Sequence, residues 1–313
     1  MLTKYIFNLE FPSWCKEFTV FGYKFYRRED YETQVAKLQQ LISMFSEFRI
    51  HVNSGENVIT AFVDFPENEP TAVFDWTGPT TSALTDILLL ISIFTRRDVF
   101  EVDLKYDKNE HGISTADPRL YIGGGILRTS IPYRGQPVEP EPNKYDIGFE
   151  DGLNAIYSLI RSKEWQREYH DGYFLILARS AFRRQPLDAM FIQCWTIWEH
   201  LFAILNDNWL SEKQIISLSS SEKISYLLVR YALRNKISRK EHERIKELAE
   251  IRNRLIHYGR FPDKGSVVDN AILFTRLTEF IIAKILGLSP SNLFNTFEQL
   301  ESFLTEETTG KPA

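Results

Sequence analysis

The pattern of hydrophobic and polar positions divides the chain into a strand-rich first part and a helical second part. Residues 18–26 and 58–65 are aromatic and β-branched with partial alternation, which predicts half-buried strands. Residues 72–76 and 99–104 show a similar pattern, and the glycines and prolines between these stretches predict turns. We therefore predict a mostly antiparallel, β-rich domain over residues 1–145.

Two helical patterns interrupt the predicted strands. Residues 32–48 carry apolar side chains at the spacing of one helix face, and residues 85–95 are apolar on nearly every side, which predicts a buried helix. The longest apolar run, 87–94, is much shorter than the about 20 residues that span a bilayer. We expect no membrane contact, and the residues after Met1 show no signal-peptide pattern.

The segment 133–144 is rich in proline and glutamate, which favours an extended, solvated linker. After it, helical patterns continue almost to the end of the chain. The second domain, 146–313, is therefore predicted to be all-helical, so the fold class of the whole chain is α+β. Its predicted helices are 149–162, 164–183, 187–207, 222–235, 239–258, 266–286 and 290–304.

The helix predicted at 239–258 has two separate apolar strips. Gly259 suits the left-handed conformation that ends helices, and Pro262 prevents a restart. At about 100° per residue, a second, weaker strip lies well away from the core-facing stripe, and a helix that packs only within its own domain needs one stripe. The second strip therefore predicts a partner, and we expect a homodimer. The core-facing stripe consists of Leu248, Ile251, Leu255 and Tyr258, and the second strip of Ile245, Ala249 and Ile256.

Polar side chains border this second strip. Arg252 lies on one edge, while Asn253 and His257 lie one turn apart on the other. Histidine exchanges protons near neutral pH, arginine binds phosphate oxygens with a bidentate fork, and asparagine donates an amide hydrogen to an oxyanion. Because Arg252 and His257 point well apart on an ideal helix, two copies that meet across a shared face form a better site than one.

A carboxylate on an apolar helix is the other candidate site residue. Glu199 lies in the predicted helix 187–207, which is apolar on nearly every side, and a buried carboxylate must be paired. Glu199 either orients Arg252 or His257, or forms a structural ion pair with a nearby lysine or arginine. The sequence leaves both possibilities open, and they are not exclusive.

The string Arg252-Asn253-x-x-x-His257, near the end of a helix in an all-helical half, resembles the signature of the HEPN superfamily. The helix with Trp195, Trp198 and Glu199 is similar to the aromatic, Glu-bearing helix of the Apea-like branch. This resemblance extends over residues 149–304 and implies a HEPN-like helical bundle.

The resemblance also implies a function. HEPN nucleases act as dimers with a composite cleft, so it implies a metal-independent endoribonuclease that leaves a 2′,3′-cyclic phosphate. Its catalytic residues would be Arg252, Asn253, His257 and Glu199. An Apea-like protein is further expected to act in bacterial antiviral (abortive-infection) defence, with the N-terminal domain responding to a protein or ligand trigger.

Two other functions fit the same residues. A non-catalytic interaction module would use the second strip for dimerisation, with Arg252 and His257 holding Glu199. Alternatively, the N-terminal domain is the active part and binds a ligand or a protein. RNA cleavage in EDTA separates the nuclease from both.

Composition narrows the choice of partners. A content of 43% hydrophobic and 25% charged residues is that of a soluble globular protein. The net charge of −5 excludes a protein that coats nucleic acid everywhere, so an RNA contact must be a local basic patch. Cys15 and Cys194 are far apart and have no metal-ligand spacing, so we expect reduced core cysteines, no metal, no cofactor and a cytoplasmic location.

Overall fold

The structure is a computed structural model in which contacts divide the chain into two compact units. Unit 1 consists of Met1–Tyr121, Ile131–Arg161 and Arg183–Gln185, and unit 2 of Ile122–Ser130, Ser162–Phe182 and Pro186–Ala313. The predicted α+β class, with a β-rich N-terminal part and a helical C-terminal part, is confirmed. The structure describes residues 3–9, 11, 15–36, 47–51, 59–74, 82–95, 99–102, 110–114, 149–170, 172–182, 185–231, 239–259, 261 and 265–288.

Unit 1 is built on antiparallel strands. The strands are β1 (Thr3–Phe7), β2 (Glu17–Val20), β3 (Tyr23–Arg27), β4 (Glu47–His51), β5 (Ile59–Asp64), β6 (Phe100–Val102) and β7 (Glu110–Ser114). Five of them form one sheet in the order β2-β3-β5-β1-β6, and β4 pairs with β7 in a second sheet. Every pairing is antiparallel, as predicted.

Three predicted elements of unit 1 differ from the structure. The stretch 18–26 is a hairpin, because Phe21 and Gly22 both have positive φ (51° and 86°) and turn the chain between β2 and β3. The stretch 72–74 is not a strand, since the Val73 N–H donates to the carboxylate of Asp86 instead of to a neighbouring strand. Of the helix predicted at 32–48, residues 32–36 are helical, but the last two residues lie in strand β4; the middle lies outside the described residues.

Besides the helical residues near 31–36, unit 1 contains helices α1 (Ala83–Thr95) and α2 (Phe149–Ile160). Helix α1 is buried along nearly its whole length, as its continuous apolar sequence predicts. Helix α2 contacts α1 and β2, and the Asn154 side chain donates to the carbonyl of Thr19 and accepts the N–H of Phe21. Helix α2 therefore belongs to unit 1, although the predicted boundaries placed it in the helical domain, 146–313.

Among the described residues of unit 2, all regular secondary structure is helical. Its helices are α3 (Lys163–Tyr169), α4 (Tyr173–Phe182), α5 (Leu187–Asn206), α6 (Glu212–Ser217), α7 (Ser220–Arg230), α8 (Arg239–Tyr258) and α9 (Gly265–Ile285). The helix predicted at 164–183 is two helices, separated at Gly172, where φ is 58°. The short helix α6 was not predicted, and the helix predicted at 290–304 lies outside the described residues.

Helix α5 is the central helix of unit 2, since it contacts α3, α4, α7, α8 and α9. Its rings of Trp195 and Trp198 lie against Phe274 of α9, with centroid distances of 5.1 Å and 5.4 Å. The indole N–H of Trp198 donates to the Thr278 hydroxyl over 2.8 Å. Cys194 is buried in the same helix, as predicted for a core cysteine. In the described ranges, no helix has both the length and the apolar character needed to cross a membrane.

Candidate functional site

Helix α8 carries the Arg-Asn-x-x-x-His string and ends as predicted. The chain leaves the helix at Gly259, whose φ is 69°, and the Gly259 N–H donates to the carbonyl of Leu255 over 2.9 Å. A Cβ atom at Gly259 would meet no atom within 4 Å, so glycine is needed there for its backbone conformation and not for space. The core-facing positions Leu248, Ile251 and Leu255 are buried, which confirms that stripe.

The second apolar strip is only partly exposed, so the prediction that the whole strip is free to contact a partner is wrong. Ile245 is 5% exposed and Ala249 is half-buried, because α5, α7 and α9 all contact this helix. Ile256 remains 54% exposed. Tyr258 was placed in the core-facing stripe, but it is 77% exposed, because it is the last residue of the helix. On helix α8, the large exposed apolar side chains therefore lie at its C-terminal end.

We call this end of α8 the motif surface, and it consists of Arg252, Asn253, Ile256, His257 and Tyr258. All of these side chains except Arg252 are exposed, and that of Arg252 is half-buried. The motif surface thus combines two large exposed apolar side chains with the three polar groups of the string. The helix places the Arg252 and His257 positions about 140° apart, and those of Asn253 and His257 about 40° apart.

Arg252 is held from two sides. Its Nη1 donates to Oδ1 of Asn253 over 2.8 Å, and its guanidinium carbon lies over the Trp195 ring, 6.0 Å from the centroid. Trp195 belongs to α5 and is 2% exposed. The guanidinium is thus positioned between a buried indole face and the neighbouring amide.

His257 differs from Arg252, because its imidazole has no hydrogen-bond partner among the described residues. It is exposed on the last turn of α8. A histidine in this state can exchange protons with a bound molecule, but nothing in its own subunit fixes its orientation. The structure therefore joins Arg252 and Asn253 by a hydrogen bond, whereas His257 is hydrogen-bonded to neither of them.

Glu199 is not part of this arrangement. Its carboxylate accepts from the Ser220 hydroxyl and from Nζ of Lys223, each over 2.5 Å. The side chain of Glu199 is 27% exposed, and that of Lys223 is 10% exposed. The predicted pairing of Glu199 with Arg252, Asn253 or His257 is wrong, and the structural ion pair is what forms.

The position of α7 explains this difference. Ser220 and Lys223 lie in the first turn of α7, where the helix dipole also favours a negative charge. Ser219 caps the same turn in a capping box with Glu222. The Glu199 carboxylate therefore joins the central helix α5 to the start of α7.

Sequence reasoning missed two polar features of unit 2. Arg276 and Glu279 form an ion pair on α9 with an Nη1–Oε2 distance of 3.0 Å and side chains 6% and 0% exposed. The signal was an Arg-x-x-Glu string in an otherwise apolar helix, which puts both groups on one face. The contact of Trp195 with Arg252 was also missed, because no sequence pattern pairs a ring on one helix with a cation on another.

Comparisons of the chain with family models, with curated proteins and with solved structures gave no match. The candidate site is therefore defined by the residues of this chain alone. Within the described ranges, no group of three or more histidine, cysteine or acidic side chains is arranged to hold a metal ion.

Proposed function

We propose that this protein is a metal-independent endoribonuclease of HEPN type that acts as a homodimer through the C-terminal end of α8. The observation that supports the proposal is the motif surface itself, in which exposed Asn253 and His257 lie beside the exposed apolar side chains Ile256 and Tyr258. Polar groups able to move a proton and bind phosphate lie next to apolar groups able to contact a partner.

The proposed reaction uses the 2′-hydroxyl of the RNA as nucleophile. The imidazole of His257 takes the hydroxyl proton, and the 2′-oxygen attacks the adjacent phosphorus. The bond to the 5′-oxygen of the next nucleotide breaks and that oxygen takes up a proton from water, which leaves a 2′,3′-cyclic phosphate and a 5′-hydroxyl. Arg252 binds the phosphate oxygens and Asn253 donates its amide hydrogens, so both stabilise the charge that develops.

The dimer in this proposal supplies what one subunit lacks. Arg252 and His257 lie about 140° apart on the helix, so one motif surface cannot direct both groups at the same phosphate. A twofold contact centred on Ile256 would place His257 of one subunit near Arg252 of its partner. The cleft would then contain two copies of each group.

The role of unit 1 and the biological setting rest on the resemblance alone. An Apea-like nuclease in antiviral defence would remain inactive until a protein or ligand trigger reached its N-terminal domain. The proposal therefore includes a trigger that acts through unit 1.

The exposed side chains Ile256 and Tyr258 also favour a second candidate, a dimerisation module without catalysis. Incubation of purified protein with a structured RNA in EDTA separates the two. The nuclease produces fragments that end in a 2′,3′-cyclic phosphate, and it leaves a substrate with 2′-O-methyl groups intact. A dimer that binds RNA but cleaves none of it supports the interaction module.

A further inference from the structure

The contact between Arg252 and the central helix extends the proposed function. The guanidinium carbon lies over the Trp195 ring at 6.0 Å from the centroid, a separation at which a ring face attracts a cation. Tryptophan provides the strongest such attraction among the aromatic side chains. This attraction is greatest where water is excluded, and Trp195 is 2% exposed.

The indole N–H of Trp195 makes no hydrogen bond within the described residues, so such a bond does not explain a tryptophan at this position. Among the described residues, Trp195 Nε1 is buried and has no acceptor. Trp198, one turn later on α5, does have one, since its N–H donates to Thr278 over 2.8 Å. A buried indole without an acceptor lowers stability relative to a phenylalanine of similar shape. The indole packs against Phe191 and Phe274, and it also presents a face to Arg252.

Asn253 completes the restraint on the guanidinium. Its Oδ1 accepts from Nη1 of Arg252 over 2.8 Å, and this is the only hydrogen bond of the Arg252 side chain among the described residues. The Nε and Nη2 edge, which forms a bidentate fork, therefore has no hydrogen-bond partner among the described residues. The bond uses one lone pair of the Asn253 oxygen, and the amide hydrogens of Asn253 have no partner among the described residues. The pair consequently offers more donors than acceptors, which suits a phosphate.

We infer that Trp195 is a positioning residue of the motif surface: its ring face and the Asn253 carbonyl fix the Arg252 guanidinium so that the Nε and Nη2 edge is ready to bind a phosphate. The inference rests on the proposed function for its substrate, but the phosphate-binding step belongs to a single subunit. Lysine at position 252 could not replace arginine, since its ammonium lacks the planar edge that binds Asn253 and a phosphate in fixed directions.

The test follows the Arg252 Nε–H signal by nuclear magnetic resonance of the full-length protein during titration with inorganic phosphate. The Arg252→Lys variant assigns the signal by its disappearance. In the wild type, we expect the signal to shift on addition of phosphate. In Trp195→Leu, the apparent dissociation constant should rise by about three- to tenfold, and in Trp195→Phe by less, because a smaller ring remains.

Trp198→Phe is the matched control, since it also trims a buried indole of α5, but one that has no cation over it within the described part of the chain. This control should lower the melting temperature through the lost bond to Thr278 and leave the phosphate titration unchanged. If Trp195→Leu does not fold, Trp195→Phe alone carries the comparison.

Three results would overturn the inference: a wild-type Arg252 signal that ignores phosphate, equal phosphate affinity in folded wild type and Trp195 variants, or an equal loss in Trp198→Phe. A double-mutant cycle separates positioning from general damage. In the Arg252→Lys background, Trp195→Phe should not weaken binding of a 2′-O-methyl oligoribonucleotide any further. If phosphate binding behaves as expected but no RNA is cleaved, the nuclease proposal fails while the role of Trp195 stands.

Discussion

Arg252 and His257 are five positions apart on one helix, but their surroundings are opposite. The guanidinium is half-buried, bonded to Asn253 and placed over Trp195, whereas the imidazole is exposed and without a hydrogen-bond partner among the described residues. A restrained cation suits binding, because less side-chain entropy is lost when the phosphate arrives. An imidazole without a fixed partner needs the substrate or a second subunit to orient it.

At the residue scale, Arg252→Lys tests the need for the planar guanidinium. The variant keeps the charge but loses the bond to Asn253 and the bidentate edge, so RNA cleavage should fall by about tenfold or more. Initial rates on a labelled RNA measure this. Arg254→Lys is the matched control, because Arg254 is exposed on the same helix, and its cleavage rate should equal that of the wild type. Equal rates for wild type and Arg252→Lys would remove Arg252 from the site.

Glu199→Gln tests whether this carboxylate belongs to the site or to the scaffold. Its loss leaves Lys223 mostly buried without a countercharge, so the free energy of unfolding should fall by about 1–3 kcal/mol. Urea denaturation measures the loss, and cleavage per folded molecule should remain at the wild-type rate. A variant with wild-type stability and no cleavage would instead return Glu199 to the catalytic residues.

The sequence identified these residues but not their partners. It predicted that Glu199 needs a partner, because a carboxylate on an apolar helix must be paired. Which partner it takes depends on how α5 lies against α7 and α8, and no periodicity within a helix contains that information. The Trp195–Arg252 contact was hidden for the same reason.

At the scale of elements, local signals predicted helix ends well. Gly259 ends α8, and Ser219 begins α7 through a capping box. These signals act over one turn, so the sequence contains all of their parts. Elements that depend on distant pairing were predicted poorly: strand β4 was taken for the end of a helix, since a short apolar run fits both structures.

Gly259→Ala tests the end of α8, which presents the motif surface. Alanine must adopt a left-handed φ of 69° there, so the free energy of unfolding should fall by about 1–2 kcal/mol although no atom crowds the new Cβ. Gly259→Asn is the control and should lose less, because asparagine tolerates this conformation. Chemical denaturation compares the three proteins. An alanine variant as stable as the wild type would show that the helix end is not held in this geometry.

At the scale of the whole molecule, the account depends on self-association through the motif surface. Ile256→Glu places a charge within the contact that Ile256 is expected to form, so it should convert a dimer into monomers and abolish cleavage. Light scattering at micromolar concentration measures the mass.

Ile216→Glu is the matched control for the dimer. Ile216 is 71% exposed on α6, away from the motif helix in sequence, and a charge there should leave the dimer intact. A wild-type protein that is already monomeric, or an Ile256→Glu variant that stays dimeric, would contradict the proposed interface.

The division into a strand-rich and a helical unit was predictable, because the period of the hydrophobic pattern changes along the chain. That α2 belongs to unit 1 was not predictable, because the Pro-rich segment 133–144 precedes this helix and suggested a domain boundary there. Its contacts include polar ones made by Asn154, whose bonds to β2 and the following turn no amphipathic pattern shows.

The central claim is that Arg252, Asn253 and His257 form a site of RNA cleavage, and His257→Ala in a cleavage assay tests it most directly. Wild type and variant are incubated with one structured RNA in EDTA, with His242→Ala, on the first turns of the same helix, as the matched control. Wild type and His242→Ala should cleave at equal rates. His257→Ala should be slower by about 10²–10⁴-fold while its folding and dimerisation stay nearly unchanged. Cleavage by His257→Ala at the wild-type rate, or no cleavage of any RNA by the wild-type dimer, would contradict the account.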